Sequence, residues 1–489
     1  MGVSGEEFFP ASRTIPAFMI SLLPSSPKYR GNFRRMKLSR SVVSWLLFSV
    51  LVLPAARAAA ENADLPERVF PALDQILRDA LQQSPRILAR NLDLDIAQGD
   101  EMQAKAGLYP SVGGYLQYQQ ARETREDVKT GSYPTNMTNY SFSASQPVWH
   151  WGAVKNGARI GEIRRKISEQ QYVEAFRLLA QEIRANYLGL ITRRALVKSA
   201  RFNLKLTESA LQVAEDRLAK GTISGGDIFP TRMNALQLRL STDRSIEDFE
   251  QTRRSFRLLT GRLLSDDEIP EMIPLMNGGD EVPSKMLADF LSQKEPQTSS
   301  LIIARQQLEV ENLNLKIQRK RLYPMFNFVA GVNQNRQSYT QNIGQLYGVQ
   351  DEYAGVNLTW SIFDGFSARG AVKSSLARKR QLEASYRQLT ESLSEDAQRL
   401  EKQVEFSLRQ MRINDRLLEE RGSFLHASEE DFQRGTSAET DLNAARASFF
   451  SSQLAAFNAR AEYLQRMSEF LGAIMEDPVL QQTKVTHHE

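Results

Sequence analysis

The sequence predicts a mainly α-helical protein with a membrane β-barrel: long coiled-coil helices form a tube, and four strands per protomer contribute to a twelve-stranded trimeric barrel. Three observations predict this fold class: an export signal near the N-terminus, two tandem structural repeats, and four segments in which apolar and polar residues alternate. The absence of cysteine excludes disulfide bonds, cysteine nucleophiles and thiolate metal sites. Charged residues make up 25% of the chain, which excludes a bundle of transmembrane helices.

Residues 1–58 contain the pattern of a signal peptide. After Met36 a basic stretch precedes the apolar segment 41–53, and the small residues Ala56 and Ala58 mark a cleavage site. The apolar segment is shorter than the roughly 20 residues that a spanning helix needs, which favours a cleaved signal over a membrane anchor. We therefore predict a start at Met36, cleavage after Ala58 and an exported protein; residues 1–35 show no interpretable pattern.

The net charge of +4 does not indicate a basic mature protein. The excess of lysine and arginine lies in residues 1–58, and the remaining chain carries slightly more acidic than basic residues. A nucleic-acid partner is therefore not expected.

Elements that recur at one constant spacing indicate an internal duplication. The pairs that share this spacing (322 − 108 = 214) are Leu108-Tyr109-Pro110 with Leu322-Tyr323-Pro324, Gly221-Thr222 with Gly435-Thr436, and Asp227 with Asp441. Several matches at one offset predict two tandem copies of one structural unit. We place the first repeat at 59–262, a linker or equatorial segment at 263–286, the second repeat at 287–472 and a C-terminal tail at 473–489.

Each repeat begins with a helix, continues with a pair of strands, and ends with a long helix and a return helix. The predicted bounds are 111–148 and 325–362 for the strand pairs, 152–218 and 366–433 for the long helices, and 225–262 and 438–472 for the return helices. A helix of this length reaches on the order of 100 Å, and its charge excludes a membrane span.

The long helices have the pattern of coiled coils. In the first, Phe176, Ile183 and Leu190 recur every seven residues, which indicates coiled-coil packing. A second stripe of small or apolar residues runs from Leu178 to Val213 on nearly the opposite side of the helix. It favours a neighbour on each flank, as in the wall of a tube, over an ordinary coiled coil with one seam.

The four strands alternate between apolar residues and small polar residues. This pattern is typical of membrane β-barrel strands and also of half-buried strands in soluble sheets, and the export signal favours the membrane. The expected outer face of the barrel comprises Tyr140, Phe142, Phe326, Phe328, Val356, Leu358 and Trp360. Four strands cannot close a barrel, and unpaired backbone groups are costly in lipid. Two copies would give eight strands and a barrel filled by side chains, so we expect a homotrimer with twelve.

With these elements in this order, the chain resembles the TolC family of outer-membrane efflux proteins. The resemblance rests on the duplicated unit, the two Leu-Tyr-Pro elements, the segment Trp360–Gly365 and the turns after the long helices. It implies a homotrimer in the outer membrane with a helical tube in the periplasm. Such a channel is the exit duct of a tripartite efflux pump or a type I secretion system. The implied partners are a periplasmic adaptor (membrane fusion) protein, an inner-membrane pump of the ABC or resistance-nodulation-division type, and outer-membrane lipid.

The two turns that follow the long helices are the candidate functional residues. They are Gly221, Thr222, Ser224 and Asp227 in the first turn and Gly435, Thr436 and Asp441 in the second. Each glycine suits a left-handed helix C-cap. Ser224 with Asp227 resembles a capping box, and Thr436 with Glu439 could form another.

The resemblance implies that both turns lie at the periplasmic tip, where adaptors dock. Family members with a charged gate carry an arginine and an aspartate where this chain has Ser437 and Ala444. A salt-bridged gate is therefore not expected, and Phe432 would constrict the tip by packing instead.

No pattern in the chain predicts catalysis, a cofactor or a metal site, so we expect no enzyme. Carboxylates are spread along the helices, and no glycine-rich phosphate loop is present. The alternative function is a periplasmic coiled-coil adaptor or scaffold of an envelope transport complex. No residue distinguishes small-molecule efflux from protein secretion, so both stay open.

Overall fold

The computed structural model describes residues 63–124, 132–276, 278–279, 281–293, 296–339 and 346–482. The predicted signal peptide, its cleavage site and the last residues of the predicted tail lie outside this part of the chain. The elements are α1 Pro66–Val69, α2 Pro71–Gln83, α3 Pro85–Ala106, β1 Ser111–Thr124, β2 Ser132–Trp149, α4 Ala153–Ala219, α5 Gly225–Thr260, α6 Glu281–Ser292, α7 Ser299–Arg319, β3 Met325–Tyr339, β4 Leu346–Thr359, α8 Ser367–Gln433, α9 Glu439–Ala473 and α10 Pro478–Gln482. None of the described helices contains a stretch long and apolar enough to span a membrane.

The strands form one antiparallel sheet in the order β1-β2-β3-β4, so β1 and β4 are its edges. The β1–β2 ladder continues towards the hairpin, where Arg122 pairs with Pro134. Alternation disappears there because both faces are polar, while the backbone pairing continues. The fourth strand ends at Thr359, so the prediction that Trp360 belongs to it is wrong.

The helix α4 has neighbours on both sides, as predicted, and the ends of its second stripe, Leu178 and Val213, are each 51% exposed in the single chain. Near the sheet it packs against α3 and α7, and nearer the turn it packs against α5 and α9. The helix α8 packs against α7 and α9. Among the described residues it has no comparable contact with α3 or α5. Within one protomer, α3, α5 and α8 therefore lie at the edges of the layer of helices.

The helices α4 and α5 each carry a stripe of buried residues with a seven-residue period. Phe176, Ile183, Leu190 and Val197 are buried on α4. On α5 the buried residues Ala235, Thr242, Phe249 and Phe256 have the same spacing. A repeat of seven is the coiled-coil period, which explains why two polar helices of this length stay together.

The segment after α5, residues 261–276 and 278–279, crosses the long helices and is called the strap here. Arginines from four helices donate hydrogen bonds to its backbone carbonyl groups. The pairs are Arg194 of α4 with Asp266 and Ile269, Arg253 of α5 with Leu264, Arg460 of α9 with Ile273, and Arg412 of α8 with Gly278. At Gly278 (φ +30°) a Cβ atom would lie 2.3 Å from the Leu408 side chain, so only glycine allows this approach.

Beside the strap, Arg184 lies at the centre of a buried ion network. Its guanidinium donates hydrogen bonds to Asp477, to Glu67 and to the Ser468 hydroxyl. Burial opposes the charge, but the carboxylates of Asp477 and Glu67 outweigh it and raise the pKa of Arg184 above its usual range. The network joins α1, α4, α9 and the start of α10.

Candidate functional site

The register of the sheet assigns each strand residue to one of two faces, because directly paired residues lie on the same face. One face, called the apolar face, carries Val112, Leu116, Tyr140, Phe142, Phe326, Phe328, Val332, Val356 and Leu358. It is interrupted by Gln146 opposite Phe328, by Gln334 opposite Tyr140 and by Glu352 opposite Val332. The other, polar face carries Gln117, Asn139, Ser141, Ser143, Asn327, Asn333 and Asn357. The sheet is therefore amphipathic across its thickness.

Aromatic residues cluster where the strands meet the helices. The Trp151 indole N–H donates to the Pro324 carbonyl oxygen at 2.8 Å, and the Trp360 indole N–H donates to the Leu322 carbonyl oxygen at 3.0 Å. Trp151 also packs edge-on against Tyr323. Both tryptophans thus satisfy their polar atom on the backbone of the second Leu-Tyr-Pro element, Leu322-Tyr323-Pro324, which gives that element a structural role.

The two helix turns have the same local geometry. Gly221 and Gly435 adopt left-handed conformations with φ of 71° and 74°. The Thr222 and Thr436 backbone N–H groups each return to a carbonyl five residues earlier at 2.9 Å. Each threonine hydroxyl donates to that same carbonyl. This six-to-one bond around a left-handed glycine is a Schellman closure, and it occupies the polar atoms of both threonines.

The turns differ where the return helices begin. Ser224 and Asp227 form a capping box: the Ser224 N–H donates to the Asp227 carboxylate at 2.9 Å, and the Asp227 N–H donates to the Ser224 hydroxyl at 3.3 Å. The Ser224 hydroxyl, which donates to the Asp227 carboxylate at 2.7 Å, and the Ser224 N–H lower the pKa of Asp227. The second capping box, Thr436 with Glu439, is wrong, because α9 has Ala438 as its N-cap without a side-chain bond.

Asp441 and Phe432 flank the second turn. Asp441 lies in the first turn of α9, where its charge complements the helix dipole. Phe432 lies in the last turn of α8 and is 39% exposed. The Ser437 hydroxyl between them has no hydrogen-bond partner among the described residues. The second turn is therefore less completely capped than the first.

Exposed apolar stripes run along the outer helices of the layer. On α5 the stripe comprises Phe229, Met233, Leu236 and Leu240, and on α8 it comprises Phe406, Ile413, Leu417 and Phe424. The α5 stripe lies on a different side from the buried seam that contains Ala235 and Thr242. We predicted an outer seam for the long helix only, although the spacing of four, three and four residues on α5 also indicates an apolar face.

Charged pairs within α4 stabilise this helix near the sheet. Glu162 of α4 accepts hydrogen bonds from Lys166 at 2.8 Å and Arg159 at 2.6 Å. These bonds lower the pKa of Glu162 to about 2. The ionised form is therefore favoured in the folded state. Its stabilising contribution is present above the unfolded pKa of about 4.3 and is lost as the pH falls towards 2.

We expect Glu162→Gln to flatten the dependence of stability on pH between about 4.3 and 2. The measurement is the thermal unfolding midpoint as a function of pH, compared with the wild type. Glu405→Gln is the matched control, since its ion pair with Arg409 is longer at 3.7 Å and exposed. An unchanged acid slope in Glu162→Gln would show that this pair does not contribute.

Comparisons with known proteins agree with this arrangement. The family model described as outer membrane efflux protein matches residues 76–262 and 292–471. The chain is 22% identical over 425 residues to the pyoverdine export outer membrane protein OpmQ of Pseudomonas aeruginosa, covering 84% of this chain and 87% of that protein.

Solved structures share the fold. The Campylobacter jejuni CmeC outer membrane channel matches with a TM-score of 0.63 and 13% identity, over 83% of this chain and 86% of that chain. VceC, an outer membrane protein of Vibrio cholerae, matches with a TM-score of 0.60 and 17% identity, over 83% and 97%. The predicted fold class is confirmed by these matches.

Proposed function

The chain belongs to the outer membrane efflux protein family, and from this premise we propose how its parts build a channel. The protein is an outer-membrane exit channel for an efflux pump, with its helical tube in the periplasm. Family members are trimeric, and three copies of this chain would supply twelve strands. The observation that carries the proposal is the pair of open edges, β1 and β4, on an amphipathic four-stranded sheet.

In this trimer, β4 of one protomer pairs with β1 of the next, which leaves no open edge in the lipid. The apolar face, with Phe142, Phe328 and Val356, contacts lipid. The polar face lines the water-filled lumen. Trp360 and the other aromatic residues at the base of the sheet lie at the membrane interface, where aromatic side chains are favoured.

The helices of adjacent protomers also pack against each other, which closes the tube. The exposed stripe on α5 packs against the stripe on α8 of the adjacent protomer, so both lose contact with water. Within its own chain, α8 packs against α7 and α9, and this arrangement gives it a further neighbour in the adjacent protomer.

The two turns form the periplasmic tip. Gly221, Thr222, Ser224 and Asp227, together with Gly435, Thr436 and Asp441, shape the surface on which a periplasmic adaptor docks. Phe432 narrows the opening by packing. The inner-membrane pump is of the ABC or resistance-nodulation-division type. The chain is not an enzyme, in keeping with a family of channel proteins.

Planar bilayer recording tests the proposal. We expect the detergent-purified protein to insert and conduct in uniform steps, and Phe432→Ala to raise the conductance or the open time. Leu178→Ala, an exposed position of α4 far from the turn, should behave like the wild type. A monomer that stays in solution without detergent and does not conduct would instead support a periplasmic scaffold.

A further inference from the structure

A cavity of about 430 Å³ lies in the layer of helices where α9 ends and α7 begins. It is lined by α4, by the first residues of α7, by α8 and by the last residues of α9. At its edge, Gly472 leaves room for Gln181 and Arg177, because a Cβ atom there would lie 2.5 Å from the Gln181 amide nitrogen. The cavity belongs to one chain and does not depend on a second protomer.

Two buried polar atoms at this cavity have no partner among the described residues. Ser299 is 1% exposed, and its hydroxyl makes no hydrogen bond. The side-chain oxygen of Gln403 likewise accepts none. Leaving buried polar groups unpaired is costly, so two such atoms facing one cavity indicate a polar occupant.

The start of α7 adds hydrogen-bond donors. Thr298 is the N-cap: its hydroxyl accepts from the Leu301 N–H at 3.4 Å and shares a hydrogen bond with the Ser300 hydroxyl at 3.4 Å. The N–H groups of Ser299 and Ser300 have no acceptor among the described residues. The free N–H groups of a 21-residue helix attract anions.

The charged side chains that line the cavity are balanced, three arginines against three acids. The carboxylates of Glu174, Asp396 and Glu469 are each hydrogen-bonded to an arginine: Arg177, Arg399 and Arg466. Arg399 uses only one terminal nitrogen on Asp396, at 2.8 Å, which leaves its other N–H groups available. Together with the Ser299 hydroxyl and the first N–H groups of α7, these N–H groups are donors for a ligand, and Gln403 provides an acceptor.

We propose that this cavity binds a small oxyanion that also carries a hydroxyl group. Its negatively charged oxygens accept from the Ser299 hydroxyl, the N-terminal N–H groups of α7 and Arg399. Its hydroxyl donates to Gln403. Monohydrogen phosphate and a hydroxycarboxylate such as malate both have this chemistry and fit the volume. The bound anion would join the start of α7 to α8.

Calorimetric titration of the detergent-purified full chain tests the proposal with defined probes. We expect inorganic phosphate or malate to bind and to raise the unfolding midpoint above that in chloride at equal ionic strength. Succinate lacks the hydroxyl and should bind more weakly than malate. Binding of phosphate but not of malate would identify the inorganic ion as the ligand. Binding of malate but not of phosphate would identify an organic acid.

Variants then assign the site. Arg399→Gln and Ser299→Ala should each weaken binding about tenfold or more, as for hydrogen bonds to charged groups. Gln403→Leu should abolish the preference for malate over succinate. Arg409→Gln is the matched control, since Arg399 and Arg409 are 57% and 63% exposed and both pair with an acid one turn earlier on α8.

Equal midpoints in phosphate, malate and chloride would overturn the proposal. So would unchanged binding in both Arg399→Gln and Ser299→Ala. Size-exclusion chromatography of each variant verifies that it is assembled, and Gln403→Leu provides a readout of ligand preference that general destabilisation does not produce.

Discussion

Asp477→Ala is expected to destabilise the folded chain by about 3–5 kcal/mol, as for a buried ion pair that loses one partner. Asp477 is 0% exposed and accepts from Arg184 at 2.5 and 2.9 Å, while Arg184 is 1% exposed. Without this carboxylate, the guanidinium stays buried with one acidic partner, Glu67, instead of two. The segment from Glu476 onwards also loses its anchor to α4.

Chemical unfolding and limited proteolysis measure this effect. We expect a lower unfolding midpoint and earlier cleavage near the C-terminal segment. Glu215→Ala is the control: its pair with Arg232 spans 3.2 Å with both side chains about half exposed, and such pairs contribute at most about 1 kcal/mol. If Asp477→Ala and Glu215→Ala had the same unfolding midpoint, the buried network would contribute no more than an exposed ion pair.

Leu240→Asp is expected to prevent trimer assembly. Leu240 is 54% exposed in the single chain and lies on the α5 stripe that we place against α8 of the next protomer. Burying one leucine contributes about 1.5–3 kcal/mol, and the substitution acts at all three interfaces of a trimer. A carboxylate there would also be buried without a partner.

Light scattering after size exclusion in detergent gives the oligomeric state. Leu178→Asp is the matched control, since Leu178 is 51% exposed on α4, which has helices on both sides within its own chain. We expect the control to remain trimeric and to retain conductance. A normal trimer in Leu240→Asp would place the interface elsewhere.

The fold class was accessible from the sequence because its signals are long-range and regular. The seven-residue spacing of Phe176, Ile183 and Leu190 indicates a packed helix whatever its neighbours are. The alternation around Phe142 and Phe328 similarly indicates a strand with one apolar face. The closures at Gly221 and Gly435 were predictable because a left-handed glycine after a long helix has few alternatives.

Other features depend on contacts that sequence spacing does not encode. Arg184 and Asp477 lie 293 residues apart in the chain, and neither belongs to a periodic pattern. The end of the fourth strand was missed, and Trp360 was assigned to β4, because alternation continues past the last ladder pair at Thr359. Thr436 was expected to cap α9, but its hydroxyl bonds backwards to Asp431.

The strap carries a consequence for how this segment can change. Arg194, Arg460 and Arg412 all bind its main-chain oxygens, so its side chains contribute nothing to these hydrogen bonds. Substitutions at its exposed positions should be tolerated, whereas Gly278 and the buried Leu264, Ile269 and Ile273 should be sensitive. An insertion or deletion should not be tolerated, because it would shift every later carbonyl group away from the arginine that binds it. These hydrogen bonds therefore constrain the number of residues in the strap more tightly than the identity of its exposed side chains.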